Sequence, residues 1–349
     1  MIEKEKKTPG NLAVGSGLSS SSGSVSCSHY TPTRSKLQHE IENKFQSKKI
    51  FSDYLSQIYN EIGLKSRALK VLDCGSFLEF KVNEEKAKLQ LANFCKDRLC
   101  PMCNWRRSLK IFSQVSKVMD NMPDDYEFIF LTLTVRNCSA EELPQTVQAL
   151  YDGWRYLYNK NKRFKNSIKG TFRTFECTIN NDFHSIYYGT YHPHLHCTLA
   201  VKKGYFTSKD YISQKEMTIL WRKACGLEYD PIVHIEKVYL KDENGNKQTE
   251  GINVTKAVAE ATKYAVKSSD YLDLNNFDKT CDNVKSLLEA LTGRRLCSWS
   301  GIFSQVRKQL DFDDAENGDL IHTDNETIRD DLSFMIVRYR WRAGVYVVE

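Results

Sequence analysis

The sequence has no apolar run approaching the roughly 20 residues that a membrane-crossing helix needs, and this excludes a helical span. Its N-terminus lacks the apolar core of a secretory signal, so the expected compartment is the cytoplasm. Residues 1–35 have almost no apolar surface to bury. A charged run from Glu3 to Lys7 leads through Pro9-Gly10 into a Gly/Ser-rich stretch between Gly15 and Ser28, which predicts a disordered tail without chemistry. The cysteine count argues against a disulfide framework as well. Eleven cysteines is an odd number in a long, lysine-rich chain, and suits reduced thiols, some of them binding metal.

What the chain does have is bulk. Its 349 residues, 41% hydrophobic, suffice for a substantial core in one large domain or two smaller ones. The net charge of +6 is a mild excess that is compatible with a polyanionic partner. Its distribution is more informative: basic residues crowd 96–110 and 155–173, whereas acids crowd 311–331. That segregation tilts towards nucleic acid.

One stretch organises the rest: Tyr191-His192-Pro193-His194-Leu195-His196-Cys197-Thr198-Leu199-Ala200-Val201. It alternates like a strand, with His192, His194 and His196 on one face and Leu195, Cys197, Leu199 and Val201 on the other. Same-side neighbours lie roughly 6.5–7 Å apart, so two imidazoles can converge on one cation. Residues 127–135 read as a central strand, apolar on both faces near its start. Residues 170–179 read as another, and the polar run 180–185 can turn it back onto the histidines. If those two pair antiparallel, Glu176 reaches the cation beside His194 and His196; His192 is a second candidate for the third position. His234, alone in a strand-like run 232–240, reads as a core residue rather than a ligand.

Upstream, Cys95, Cys100 and Cys103 end in a Cys-x-x-Cys knuckle that Cys74 can complete as a structural zinc set. Arg98, Arg106, Arg107 and Lys110 cluster around it, expected to sit on DNA phosphate. Amphipathic helical spacing marks residues 37–62, Ser139 with Glu142 makes a capping box, and 208–226 reads as a helix ending at glycine. Downstream, residues 255–269 suit a helix whose Glu260, Tyr264 and Lys267 share one polar stripe. A phenol, a carboxylate and an ammonium together meet the needs of phosphodiester transfer. Residues 334–348 suggest a closing strand.

His194-Leu195-His196 resembles the His-hydrophobe-His signature of HUH endonucleases. With the strand before it, the Glu260/Tyr264 pair after it and the Cys-Pro-x-Cys-x-Trp-Arg-Arg run, the chain resembles the replication initiators of Gram-positive rolling-circle plasmids. The resemblance implies an α+β fold: a central antiparallel sheet flanked by helices, with a small cysteine-rich, zinc-knuckle-like segment. It also suggests a division into a tail (1–35), a helical and Cys-rich DNA-binding region (36–125), a nicking domain (126–275) and a C-terminal helical and strand region (276–349). The implied activity is metal-dependent (Mn or Mg) nicking and joining of single-stranded or hairpin origin DNA. Tyr264 would form a 5′-phosphotyrosyl link, assisted by Lys267, and Glu260 would activate the terminating cleavage. Host helicase and polymerase are the implied partners, and homo-oligomerisation stays open. The alternatives are a non-catalytic zinc-dependent DNA-binding regulator and an HUH relaxase or transposase.

Overall fold

A computed structural model describes residues 31–83, 86–239, 252–263, 265–323 and 334–349. Its strands, in chain order, are β1 (Phe77–Val82), β2 (Ala87–Ala92), β3 (Tyr126–Thr134), β4 (Gly170–Ile179) and β5 (Tyr191–Lys202), then β6 (Val233–Tyr239), β7 (Ile252–Asn253), β8 (Cys297–Ser300), β9 (Met335–Arg342) and β10 (Val345–Val348). Helices α1 (Thr31–Glu40) and α2 (Ser47–Glu61) run on through a π-helical turn at Ile41–Gln46. They are followed by α3 (Lys65–Asp73), α4 (Pro101–Asp120), α5 (Leu143–Lys160), α6 (Lys162–Ser167), α7 (Gln214–Cys225), α8 (Val254–Ala261), α9 (Ser268–Tyr271), α10 (Phe277–Leu291) and α11 (Gly301–Gln309). The fold is α+β.

The strands make a six-stranded sheet, ordered β7-β6-β3-β5-β4-β8, and a four-stranded sheet, ordered β10-β9-β1-β2. Only the short β6–β7 pair is parallel among the described residues. β4 and β5 form the long hairpin expected of them, with Glu176 directly opposite His194 and Thr174 opposite His196. β3 flanks β5 on its other side and sets Thr132 opposite His196.

Strand alternation gives the large sheet two different faces. Leu195, Cys197, Leu199 and Val201 join Ile129, Leu131 and Leu133 in the main core, beneath apolar residues of α5, α7 and α10. The opposite face buries Phe128, Phe130, Phe172 and Ala200 under α4, α8 and α11, and continues along the strands into the histidines. The site therefore sits where a packed sheet face runs out from beneath its helices.

The four-stranded sheet joins regions separated in the sequence: β9, near the C-terminus, pairs with β1. The closing strand expected at 334–348 is a hairpin, in which Val345 pairs with Arg342 across Ala343-Gly344. Both turn residues have positive φ, 49° and 84°, as a two-residue hairpin turn with the right twist demands. The helix expected over 208–226 begins only at Gln214. There Ser213 and Glu216 cap each other's backbone, and Gly226 closes the far end in a left-handed conformation. His234 is at the surface beside Glu236 rather than in the core, because its strand β6 lies near the sheet edge.

Candidate metal centre and the family of the chain

Glu176, His194 and His196 bring one ligand atom each to within 4.8 Å of one another, all three side chains buried. The carboxylate Oε2 of Glu176 lies 3.2 Å from His194 Nε2 and 2.9 Å from His196 Nε2. Ligands bonded to one ion at about 2.1 Å and at right angles would be about 3.0 Å apart. The far ring nitrogens are tied as well: His194 Nδ1 faces the His192 carbonyl at 3.0 Å, and His196 Nδ1 faces the Thr132 hydroxyl at 3.2 Å. A carbonyl only accepts, so His194 carries its proton on Nδ1 and its Nε2 lone pair points at a carboxylate oxygen. That contact is repulsive unless a cation, a proton or a metal ion, lies between the two atoms. The donor set and its outer partners therefore fit a divalent metal site with open coordination positions.

The electrostatics agree with the geometry. Burial alone would raise the Glu176 carboxyl, but hydrogen bonds from His194 and His196 and their charge hold it far below the usual carboxylate range. Burial pushes His196 below the ordinary imidazole value against the pull of Glu176. Burial, with the charge of His194 second, does the same to His192. Glu176 is thus an ionised carboxylate, and protons held between it and the imidazoles are what a bound metal ion would displace. His192 does not join the triad; its ring, 5.2 Å from that of His194, lines an adjacent cavity. Of the two candidates for third ligand, Glu176 is the one that the register brings in.

The helix expected over 255–269 is shorter than the sequence suggests. α8 ends at Ala261, and the chain then runs along β4: Thr174 Oγ1 donates to the Ala261 carbonyl at 2.7 Å, and the Cys177 amide donates to the Ala265 carbonyl at 2.8 Å. β8 pairs with β4 only as far as Thr174. The buried backbone groups beyond it need partners, and this segment supplies one in place of further helix. Tyr264 lies outside the described residues. Glu260, one-third exposed, is ion-paired with Lys263, whose charge is felt at His196. Lys267 lines a 230 Å³ cleft with Lys48 and Phe51, whereas the cation of this segment whose charge acts on His196 is Lys263. The sequence offered a signal for it: Lys263 stands three residues after Glu260, on the same helical face.

The four cysteines of the knuckle do converge. Cys74 Sγ is 3.5 Å from Cys103 and 3.6 Å from Cys100, and Cys95 Sγ is 3.6 Å from Cys103. Thiolates on a tetrahedral zinc at about 2.3 Å would be about 3.8 Å apart. Backbone amides of Lys96 and Asp97 donate to Cys103 and Cys95, stabilising negative sulfur. Burial opposes ionisation of Cys100, but hydrogen bonds from Cys103, Cys74, Cys95 and Ser52 outweigh it and lower its thiol pKa. Pro101 then starts α4 immediately, as its fixed φ favours. The cluster ties the end of α3, the end of β2 and the start of α4 together.

The replication-protein family matches residues 86–347, from β2 through β10. This chain belongs to that family of rolling-circle plasmid replication initiators. A "Protein rep" from a Bacillus species is 41% identical over 267 residues, spanning 73% of this chain and 84% of the relative. Others from Bacillus amyloliquefaciens and Lactiplantibacillus plantarum are each 38% identical, over 80% and 74% of this chain and 83% and 80% of theirs. No solved structure matches the chain. No helix among the described residues is long and apolar enough to cross a membrane.

In this replication initiator the basic run of α4 faces inward. Arg106, Arg107 and Lys110 are all buried, and they clasp the C-terminal acidic segment. Arg106 donates to the Leu320 and Ile321 carbonyls; Arg107 donates to Glu316 and Lys96 carbonyls and to Asn104. Lys110 pairs with Asp313 at 2.5 Å. Arg98, partly exposed, donates to the Leu291 and Arg294 carbonyls. The sequence groups these cations around the cysteine knuckle but does not say what covers them. Arg106, Arg107 and Lys110 hold residues 313–321 against α4.

Proposed function

We propose that this initiator cuts one strand of its plasmid origin at the Glu176–His194–His196 centre, with Tyr264 as nucleophile. The triad is the observation that carries the reading. A divalent cation there, Mn or Mg, would supply Lewis-acid polarisation and a template for the scissile phosphate. The chain's own residues do the rest. Glu176 and the two imidazoles set the position of the phosphate, and Thr132 and the His192 carbonyl hold those imidazoles in orientation.

The described flanks of position 264 support Tyr264 as nucleophile. Ala261 and Ala265 are anchored to β4 at Thr174 and Cys177, on either side of Glu176. A phenol titrates near pH 10 and attacks poorly unless its anion is stabilised; Lys263 is the cation at hand, in place of Lys267. Attack would form the Tyr264 Oη–phosphorus bond, displace the 3′-oxygen and leave a 3′-hydroxyl for the host polymerase to extend behind a helicase. Glu260 would activate water for the terminating cleavage. A zinc ion on the four cysteines would be structural.

Incubating the protein with Mn and a labelled single-stranded origin oligonucleotide tests this. A denaturation-resistant protein–DNA adduct should form and be absent in Tyr264→Phe. An adduct that persists in Tyr264→Phe refutes the nucleophile, and binding without any adduct favours a non-catalytic regulator.

A further inference from the structure

Beside the triad lies a cavity of about 420 Å³, within the range of small-ligand sites. Its inner wall is continuous with the metal centre. It includes Thr134, the register partner of His194, and His192, whose ring is 5.2 Å from the His194 ring. Its outer walls are aromatic and basic. Tyr229 stands on one side, with the Arg136 guanidinium 3.8 Å from its ring centroid and the Arg136 amide bonded to its hydroxyl. Tyr187, about half exposed, faces in from the β4–β5 loop.

That loop is unusual for a surface turn, because Phe183 is 74% exposed and Ile186 90%. Neither the metal chemistry nor the core uses Tyr187, Tyr229 or Arg136. Aromatic rings paired with an arginine beside a phosphate-handling centre are the chemistry that stacks unpaired bases. Asn137 and Asp230, also lining the cavity, supply polar groups to it.

We propose that this cavity receives one unstacked base of single-stranded DNA, from the nucleotide next to the phosphodiester at the triad. Tyr187 and the Tyr229–Arg136 pair are its stacking walls. The assignment rests on the reading of the triad as the nicking centre. Seating one neighbouring base there fixes which phosphodiester of a flexible strand meets the triad.

The test uses the full chain in EDTA, so that no cleavage intervenes. Two fluorescent strands of about 12 nucleotides are compared by anisotropy: oligothymidylate, and a strand of the same backbone made of abasic residues. The wild-type protein should bind the base-bearing strand about tenfold more tightly. Tyr187→Ala and Arg136→Ala should each erase most of that preference while leaving affinity for the abasic strand unchanged. Tyr187→Phe should keep it, and Phe183→Ala, in the same loop but away from the cavity wall, should not alter it. Equal affinity for both strands, no binding of either, or equal weakening of both by Tyr187→Ala overturns the assignment. A 5-iodouracil-substituted strand, irradiated on the wild-type protein, should crosslink to a peptide carrying Tyr187 or Tyr229; crosslinks confined to other segments also overturn it. The two readings fail separately. Base preference without any Tyr264-dependent adduct in Mn sinks the nicking chemistry and keeps the cavity, whereas an adduct without base preference does the reverse.

Discussion

Thr132→Val offers a test of the metal centre that leaves every ligand in place. Thr132 lies opposite His196 on β3, and its hydroxyl meets His196 Nδ1 at 3.2 Å. With an ion bound, Nδ1 carries the proton and the hydroxyl accepts it; without one, the hydroxyl can turn and donate, freeing Nε2 to carry the proton towards Glu176. Valine can do neither. Losing such an outer partner costs 10- to 100-fold in metal affinity in general. At 3.2 Å the bond is longer than the usual optimum, so the lower figure applies: about tenfold, or about 1.4 kcal/mol. His194 is oriented by a backbone carbonyl and is untouched by the substitution, so binding should weaken rather than vanish. Calorimetric titration of Mn into the two proteins measures the ratio, with His196→Ala as the reference for complete loss. Affinity within about twofold of wild type would mean that His196 is not held by Thr132 as the geometry requires. A loss as deep as that of His196→Ala would mean that the substitution has damaged the strand itself.

Other outcomes follow from the same structure. Cys103→Ser should lower bound zinc from one equivalent to none by elemental analysis and destabilise the junction of α3, β2 and α4, because three thiols cannot close a tetrahedral site. Arg107→Ala should destabilise the fold by about 3 kcal/mol in urea unfolding, since it removes buried hydrogen bonds to Glu316, Lys96 and Asn104, yet leave the salt dependence of DNA binding unchanged; a shallower salt slope would return Arg107 to the DNA surface. Burial lowers the pKa of His196 and His192. Acidification should therefore begin to displace Mn through His196 only below the ordinary imidazole value of about 6.5, and both groups should contribute stability that is full above that value and lost as the pH falls below it through their lowered folded-state values. An onset of Mn release above it would contradict their burial. Glu260→Ala should keep the first nick and accumulate uncut multimeric product; normal termination would remove its proposed role.

Much of the site was legible from residue order because strand geometry is local and periodic. Alternation placed His194 and His196 on one side and Leu195, Cys197 and Leu199 in the core. The polar run after Ile179 forecast a hairpin, and a hairpin of that kind carries Glu176 to His194. The Cys-x-x-Cys spacing was equally local, and Cys74 could be suggested though not assured. The family likewise was readable from the order of these motifs.

Other features were decided only by long-range contacts. Ala-rich sequence favours continuing α8 past Ala261, but the unpaired edge of β4 competes for the same backbone and ends the helix. Arg106, Arg107 and Lys110 look like a DNA-facing cluster until residues from 313 to 321 fold over them. Lys263 acts on His196 while Lys267 lines a separate cleft, because the chain leaves the helix at Ala261, before either of them. The aromatic cavity is assembled from the end of β3, the β4–β5 loop and the segment before β6, parts with no sequence period in common. Periodicity says which face a side chain takes on its own element. Which partner meets that face depends on where the rest of the chain finds its hydrogen bonds and buries its apolar surface.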